Sequence, residues 1–227
     1  MPTIFFYFDF ASPIAYVMFH RLPHVLAGLA WQLHYRPVLQ AALRVAEQGQ
    51  GAAGLAAAIH QPAKPPDDAQ ALAMRAGLPF RWPVNLAFQS GPWLRMALAS
   101  SVHGQPSRQV CETLLNAIWQ SGQDPDDPTV QQRAWQEATA LLPSVRDWHQ
   151  PAVAQALVEE LADIAQAARQ QGAWQQSAWA VPSCVLLPDD ASRESPQVFA
   201  GVEGLPLLRE AVRARQGFAV DASGANA

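Results

Sequence analysis

The chain has 227 residues, of which 50% are hydrophobic and 15% are charged, and its formal net charge is −4. This composition predicts a well-buried globular protein and excludes a largely disordered chain. The acidic balance does not favour a nucleic-acid partner, and no apolar stretch reaches the roughly 20 residues of a membrane span. Because the N-terminus shows no signal-peptide pattern, we expect a cytoplasmic protein without a membrane partner.

The first elements in chain order form a β-α-β pattern. Residues 4–10, "IFFYFDF", read as a short buried strand, and residues 30–39, "AWQLHYRPVL", read as a second strand. Between them a helix is predicted over residues 13–27, and Pro23 is expected to kink it or to end it early. A unit of this length favours two parallel strands joined by a right-handed crossover.

Ser12 lies at the junction between the first strand and the first helix. Serine is a favoured N-cap, and Pro13 suits the first helical position because its missing N–H is not needed there. The hydroxyl is therefore expected at the positive end of a helix, where anions are stabilised. The local pattern leaves open whether Ser12 is only a cap. Asp9, three residues earlier, is interpreted as a buried, hydrogen-bonded structural acid without a catalytic role.

The middle of the chain is predicted to be helical. An alanine-rich helical run over residues 40–77 is broken by the prolines of "HQPAKPPDD" (60–68), and "GLPFRWPVN" (77–85) reads as a loop. Further helical patterns follow, and they begin at Pro92, after Ser107, after Asp127 and at Pro151. Ser107 and Asp127 are predicted as the N-caps of their helices.

The apolar period changes after the helical middle. Residues 178–190 contain a short apolar strand with Pro182 at its start, and residues 196–202 read as the final strand. A closing helix follows over residues 205–217, and residues 218–227 are expected to be a disordered tail.

The order of elements predicts an α/β protein in which a thioredoxin-like sheet is split by a large all-helical insertion. Residues 1–39 and 178–215 would form the thioredoxin-like lobe, and residues 40–177 the helical insertion. Neither end of the chain can bury its part of the sheet alone, so we expect one folding unit with two lobes.

Cysteine and histidine patterns do not predict a disulfide or a metal site. Cys111 and Cys184 are the chain's two cysteines, and both lie in apolar patterns typical of buried small residues. His20 and His24 are four residues apart, but Pro23 lies between them and no third ligand is near in sequence. We therefore expect no metal.

The segment "FDFASPIAY" (8–16) resembles the N-terminal signature of the 2-hydroxychromene-2-carboxylate isomerases, which belong with the kappa-class glutathione transferases and the wider DsbA-like family. The resemblance covers nearly the whole chain, to about residue 215. Its other motifs follow in the family's order, and they are "YRPVLQAAL" (35–43), "QPAK" (61–64), "FRWPVNLAFQSGPWLR" (80–95), "LLNAIWQSGQDPDDPTV" (114–130), "AVPSCVLL" (180–187) and "VFAGVEGLPLL" (198–208).

This resemblance implies a glutathione cofactor and a catalytic role for Ser12. DsbA-like redox proteins begin their first helix with a Cys-x-x-Cys motif, whereas this chain reads Ser12-Pro13-Ile14-Ala15. Without thiols there is no protein disulfide exchange at this place. A hydroxyl donor at a helix N-terminus would instead favour the thiolate of bound glutathione and lower the pKa of its thiol. A serine nucleophile is not expected, because no histidine is placed by a triad motif.

The resemblance also implies the other contacts to glutathione. A cis bond before Pro182 would turn the backbone of Val181 toward the cysteinyl unit, whereas the spacing alone favours a trans proline that opens an edge strand. Lys64 matches a family lysine that would face the glycine carboxylate. Gly201 and Glu203 occupy the turn that contacts the γ-glutamyl group, although the family typically has a shorter aspartate there and an arginine that is absent here.

The implied substrate cleft includes Trp82, Asn85, Gln89 and Trp93, although tryptophan is more often a core residue than a substrate contact. The expected activity is the glutathione-dependent isomerisation of a small aromatic substrate of the 2-hydroxychromene-2-carboxylate type, as in the degradation of aromatic compounds. A homodimer is implied by the resemblance. The alternatives are a kappa-like glutathione transferase or peroxidase, and a non-catalytic DsbA-like binding module.

Overall fold

The structure is a computed structural model, and it describes residues 1–40, 68–101, 105–170, 181–189 and 194–217. Three predicted features lie outside the described residues. They are Lys64, the proline break at 60–68 (of which only Asp68 is described) and the tail at 218–227.

A sheet with the strand order β2-β1-β3-β4 forms the centre of the described fold. Its strands are β1 (Thr3–Phe8), β2 (Gln32–Pro37), β3 (Ser183–Leu186) and β4 (Gln197–Ala200). β2 runs parallel to β1, whereas β3 is antiparallel to β1 and to β4. Both ends of the chain therefore contribute strands to one sheet, which confirms the predicted thioredoxin-like fold.

Each strand is shorter than its apolar run predicted, and prolines lie at or beside several of the strand ends. β1 ends at Phe8, which lies level with Pro37 at the end of β2, and proline cannot donate to a ladder. Pro182 precedes β3, and Pro188 follows it closely. In this register, Tyr7 of β1 lies level with Arg36 on β2 and with Ser183 on β3.

Helix α1 (Pro13–Val25) connects β1 to β2, and helix α7 (Gly204–Arg215) follows β4. Pro23 lies inside α1, and the helix ends soon after it. The described helices between β2 and β3 are α2 (Ala69–Arg75), α3 (Gly91–Ala99), α4 (Arg108–Trp119), α5 (Pro128–Thr139) and α6 (Pro151–Gln170).

The predicted N-caps of α4 and α5 are confirmed. Ser107 accepts a hydrogen bond from the Val110 backbone N–H at 3.3 Å, and Asp127 accepts one from the Thr129 N–H at 2.8 Å. These bonds satisfy N–H groups that have no partner within the helix. The loop predicted over residues 77–85 contains no helix or strand.

One cluster of buried side chains extends from the sheet into the helices. It includes Phe6 of β1, Phe19 of α1, Leu115 of α4 and Leu205 of α7. In the part of the chain that the structure describes, no helix is long and apolar enough to cross a membrane.

Candidate functional site

Ser12 lies on the turn that joins β1 to α1. Its backbone is extended, and its Oγ accepts a hydrogen bond from the Ala15 backbone N–H at 3.2 Å, which makes Ser12 the N-cap of α1. A hydroxyl that accepts through a lone pair keeps its proton available for a second partner. Ser12 is partly exposed, so this proton can be offered to a ligand at the positive end of the helix.

Asp9 anchors the same turn and is 2% exposed. Its Oδ1 accepts from the Ala11 N–H at 3.0 Å, and its backbone carbonyl accepts from the Ser12 N–H at 3.1 Å. Its Oδ2 accepts from the Gln40 N–H at 2.8 Å, on the segment that leaves β2. The prediction of a buried, hydrogen-bonded acid is confirmed.

The residues that precede β3 lie beside this turn. Because Tyr7 pairs with Ser183, the Val181–Pro182 bond comes next to the residues that follow β1. That bond is cis, as the resemblance implied. The Gly201 N–H donates to the Pro182 carbonyl at 3.0 Å. Ser12, Val181, Pro182 and Gly201 are therefore brought together at one edge of the sheet.

The turn between β4 and α7 adds a carboxylate to this edge. Gly201 has a φ of 63°, which glycine adopts without the cost that a side chain would add. A Cβ at this position would lie 2.9 Å from Glu203 Oε2, so the Glu203 carboxylate folds back over Gly201. Glu203 is exposed and makes no side-chain capping bond to α7. Its charge is therefore available to a ligand cation.

Two hydrogen bonds join the Ser12 turn and α1 to the middle of the chain. The Trp119 indole N–H of α4 donates to the Phe10 carbonyl at 3.1 Å. The Tyr16 hydroxyl, one helical turn after Ser12, donates to the Pro79 carbonyl at 2.6 Å. The loop after α2 and the end of α4 are thereby held next to the sheet edge that carries Ser12.

An aromatic cluster lies at this junction. The Phe80 and Trp119 rings stack with centroids 5.9 Å apart, and Trp82 meets Phe80 edge-on at 4.9 Å. Trp119 is buried, whereas Phe80 and Trp82 are partly exposed. Partly exposed aromatic rings present an apolar surface on which another ring can stack.

The chain's two cysteines are not available for this chemistry. Cys111 in α4 and Cys184 in β3 are free and fully buried. Burial raises the pKa of both thiols well above the ordinary value. Neither can supply a reactive thiolate at neutral pH, which agrees with the interpretation of both as buried small residues.

Residues 3–173 match the DSBA-like thioredoxin domain. The chain belongs to this family. A 2-hydroxychromene-2-carboxylate isomerase has a similar structure, with a TM-score of 0.60, 20% identity, and coverage of 96% of this chain and 100% of that one. The cytosolic disulfide reductase DsbM from Pseudomonas aeruginosa, solved with GSH, has a TM-score of 0.51 at 15% identity and covers 94% of this chain and 98% of its own.

A putative protein disulfide isomerase from Nitrosomonas europaea also shares the fold, with a TM-score of 0.58, 12% identity, and coverage of 95% of this chain and 98% of that chain. No curated protein sequence matches this chain. At these identities the structural neighbours establish the DsbA-like thioredoxin fold and not the reaction.

The two tryptophans of the predicted substrate cleft occupy different environments in this family member. Trp82 is partly exposed within the aromatic cluster, and its indole N–H donates to Gln70 Oε1 at 2.9 Å. Trp93 is fully buried in α3, and its indole N–H donates to the Pro125 carbonyl at 3.1 Å. Trp93 therefore lies in the core, and only Trp82 offers a surface to a ligand.

Asn85 and Gln89 are both tied to Asp126. The Asn85 amide donates to Asp126 Oδ2 at 3.0 Å, and its own oxygen accepts from the Ala87 N–H at 3.0 Å. The Gln89 backbone N–H donates to Asp126 Oδ1 at 3.0 Å. These bonds hold the loop before α3 against the turn before α5, which gives Asn85 a structural function.

Sequence reasoning missed Tyr16, Phe80 and Trp119 as residues of the junction beside the Ser12 turn. Tyr16 follows Ser12 by four residues, the spacing at which side chains share one face of a helix, so a local signal was present. Trp119 is 109 residues from the carbonyl that it contacts, and no local pattern reports such a contact.

Proposed function

We propose that this chain is a glutathione-dependent isomerase that acts on aromatic substrates of the 2-hydroxychromene-2-carboxylate type. The observation that carries the proposal is the Ser12 hydroxyl. It caps α1 with its oxygen, keeps its proton, and stands where redox members of the family have a cysteine. The resemblance of "FDFASPIAY" to those isomerases supports the same function.

The thiol for this chemistry has to come from a ligand. Both cysteines of the chain are fully buried and are unreactive at neutral pH, so a dithiol mechanism has no nucleophile here. A DsbA-like neighbour was solved with GSH, which supports glutathione as that ligand. The fit is chemical as well, because a hydroxyl donor and a helix N-terminus both stabilise a thiolate.

Each part of glutathione has a proposed partner. The Ser12 hydroxyl would donate to the sulfur, and the Val181 backbone would bind the cysteinyl unit. The Glu203 carboxylate, which makes no capping bond, would face the ammonium group near Gly201. Lys64, outside the described residues, would face the glycine carboxylate.

When bound, glutathione would supply a thiolate nucleophile that the isomerisation regenerates, so that it would not be consumed. The chain's residues would position these groups. Ser12 would hold the sulfur at the N-terminus of α1, and the partly exposed rings of Phe80 and Trp82 would offer a stacking surface for the aromatic part of the substrate.

The test is to incubate the protein with reduced glutathione and 2-hydroxychromene-2-carboxylate and to follow the concentrations of glutathione and of the substrate by NMR. We expect a benzylidenepyruvate-like isomer to form while the glutathione concentration stays constant. A glutathione conjugate would identify a transferase. In a separate reaction with an added peroxide, oxidation of glutathione to its disulfide as the peroxide is reduced would identify a peroxidase.

Binding alone can be measured from the ultraviolet absorbance of the thiolate, with S-methylglutathione as the control ligand that has no thiol. We expect a dissociation constant on the order of micromolar to millimolar. No binding at ~10 mM would favour the non-catalytic module.

A further inference from the structure

The turn that carries Ser12 is built from an aspartate and a proline. Asp9 accepts from the N–H two residues later through Oδ1, at 3.0 Å, and from the N–H three residues later through its carbonyl, at 3.1 Å. The residue after that is Pro13, which begins α1. Aspartate commonly forms such turns through its own side chain.

The same turn occurs twice more among the described residues, at Asp124 before α5 and at Asp147 before α6. Asp147 Oδ1 accepts from the His149 N–H at 3.0 Å, and the Asp147 carbonyl accepts from the Gln150 N–H at 3.1 Å. Pro151 then begins α6. Here the aspartate is exposed. The turn itself therefore does not require a buried carboxylate.

Asp9 differs from Asp147 in its burial and in a second contact. Asp9 is 2% exposed, and its Oδ2 accepts from the Gln40 N–H, 31 residues away, at 2.8 Å. Burying a carboxylate costs free energy unless hydrogen bonds compensate it. Because the local turn forms equally well around an exposed aspartate, the second oxygen of Asp9 has a different function.

We propose that Asp9 is a positioning residue for Ser12, because its second carboxylate oxygen fixes the whole turn against the segment that leaves β2. Without the contact to Gln40, the turn keeps the bond from the Trp119 indole N–H to the Phe10 carbonyl, but it should open and shift more readily. With the added contact to Gln40, the Ser12 hydroxyl is held at one place relative to Val181 and Gly201. The geometric part of this inference stands alone, and its catalytic consequence rests on the proposed function.

Asp9→Asn separates the two contacts. Asparagine forms the local turn as well as aspartate does, but its side chain has only one oxygen. Its NH₂ group would therefore face the Gln40 N–H, and two donors cannot form a hydrogen bond. Asp147→Asn is the matched control, since Asp147 uses one oxygen only within the described residues. Both substitutions remove one negative charge, and only Asp9→Asn breaks a contact between segments.

The first measurement needs no glutathione. Amide hydrogen exchange by NMR should become at least about tenfold faster at Ala11 and Ser12 in Asp9→Asn, as expected for the loss of a bond of about 1.4 kcal/mol. Exchange at His149 and Gln150 should not change in Asp147→Asn. Unchanged exchange at Ser12 in Asp9→Asn would overturn the proposal. If Asp9→Asn does not fold, Gln40→Pro removes the N–H donor and leaves Asp9 in place, and it should produce the same faster exchange at Ser12.

The second measurement is the isomerisation rate at saturating glutathione. Asp9→Asn should lower kcat by about tenfold to a hundredfold, as misplacement of a reacting group does, whereas Asp147→Asn should keep it. In a double variant, Asp9→Asn should lower kcat little below that of Ser12→Gly alone, because Asp9 acts through the Ser12 hydroxyl. Full additivity would overturn the catalytic consequence. A wild-type protein without activity would refute the proposed function instead, and the exchange rates would still decide the positioning of Ser12.

Discussion

Substitutions at Ser12 can separate a structural function from a chemical one. Ser12→Ala removes the oxygen that accepts from the Ala15 N–H and also removes the proton that is free to donate. Ser12→Gly removes the same hydroxyl, but glycine is nearly as good an N-cap as serine. A difference in stability between the two variants therefore measures the capping contribution of Ser12. A loss of isomerisation rate that both variants share measures the contribution of the hydroxyl as a donor.

The two contributions differ in size. Loss of an N-cap costs about 0.5–2 kcal/mol on substitution by alanine and a few tenths on substitution by glycine. The capping bond of Ser12 is 3.2 Å long, at the long end of the usual N–H···O range, so we expect the lower half of that cost. Loss of a donor to a developing thiolate should lower the rate by about tenfold to a thousandfold, or roughly 1.4–4 kcal/mol.

Ser107 supplies a matched control for the cap. It accepts from the Val110 N–H at 3.3 Å, in the same geometry as Ser12. It lies at the opposite end of α4 from Trp119, which contacts the Ser12 turn, and the helix is about 18 Å long. Ser107→Ala should lower the melting temperature about as much as Ser12→Ala does, and it should leave the isomerisation rate unchanged.

The assay is the isomerisation rate at saturating glutathione, combined with thermal unfolding and with an ultraviolet titration of the bound thiol. We expect Ser12→Gly to have a near-native melting temperature, a large loss of rate and a raised pKa of the glutathione thiol. A wild-type rate in Ser12→Gly would show that Ser12 is only a cap, and the proposed mechanism would then be wrong.

Three further predictions concern buried titratable groups. Burial lowers the pKa of His20, so the free energy of unfolding should fall as the pH drops below about 6.5, and urea denaturation of His20→Gln should show a smaller fall. Burial raises the pKa of Tyr7 and Tyr35 to about 12. Their contribution to stability should be complete below pH ~10 and lost toward pH ~12, and ultraviolet titration at pH ~11 should find both protonated until urea is added. Cys111 and Cys184 should react with Ellman's reagent only after denaturation; rapid reaction of the native protein would contradict their placement.

The elements that sequence reasoning predicted well are those that local chemistry determines. Ser12, Ser107 and Asp127 were each predicted as N-caps, because a capping side chain acts within three residues of its own position. The apolar run that predicts β1 is equally local, and four of the six residues of β1 are buried. These signals do not depend on how distant segments pack.

Contacts between distant segments could not be predicted in the same way. The bond from Asp9 to Gln40 spans 31 residues, and the bond from Trp119 to Phe10 spans 109. Both depend on where the helices settle on the sheet. Trp93 shows the same limit, since a tryptophan beside a loop suits a cleft or a core equally, and only the packing around α3 decides that it is buried.

The N-terminus of α1 favours a negative charge whichever molecule carries it. A cysteine at the cap would place that charge on the protein, and the protein itself would then be oxidised and reduced. A serine keeps the same electrostatic environment but cannot carry the charge at neutral pH, so it can only donate a hydrogen bond to a sulfur brought by a ligand. Under the proposed function, the chain's remaining task is to place that ligand. The accuracy with which Asp9 holds the turn would then matter more than the identity of any nucleophile in the chain.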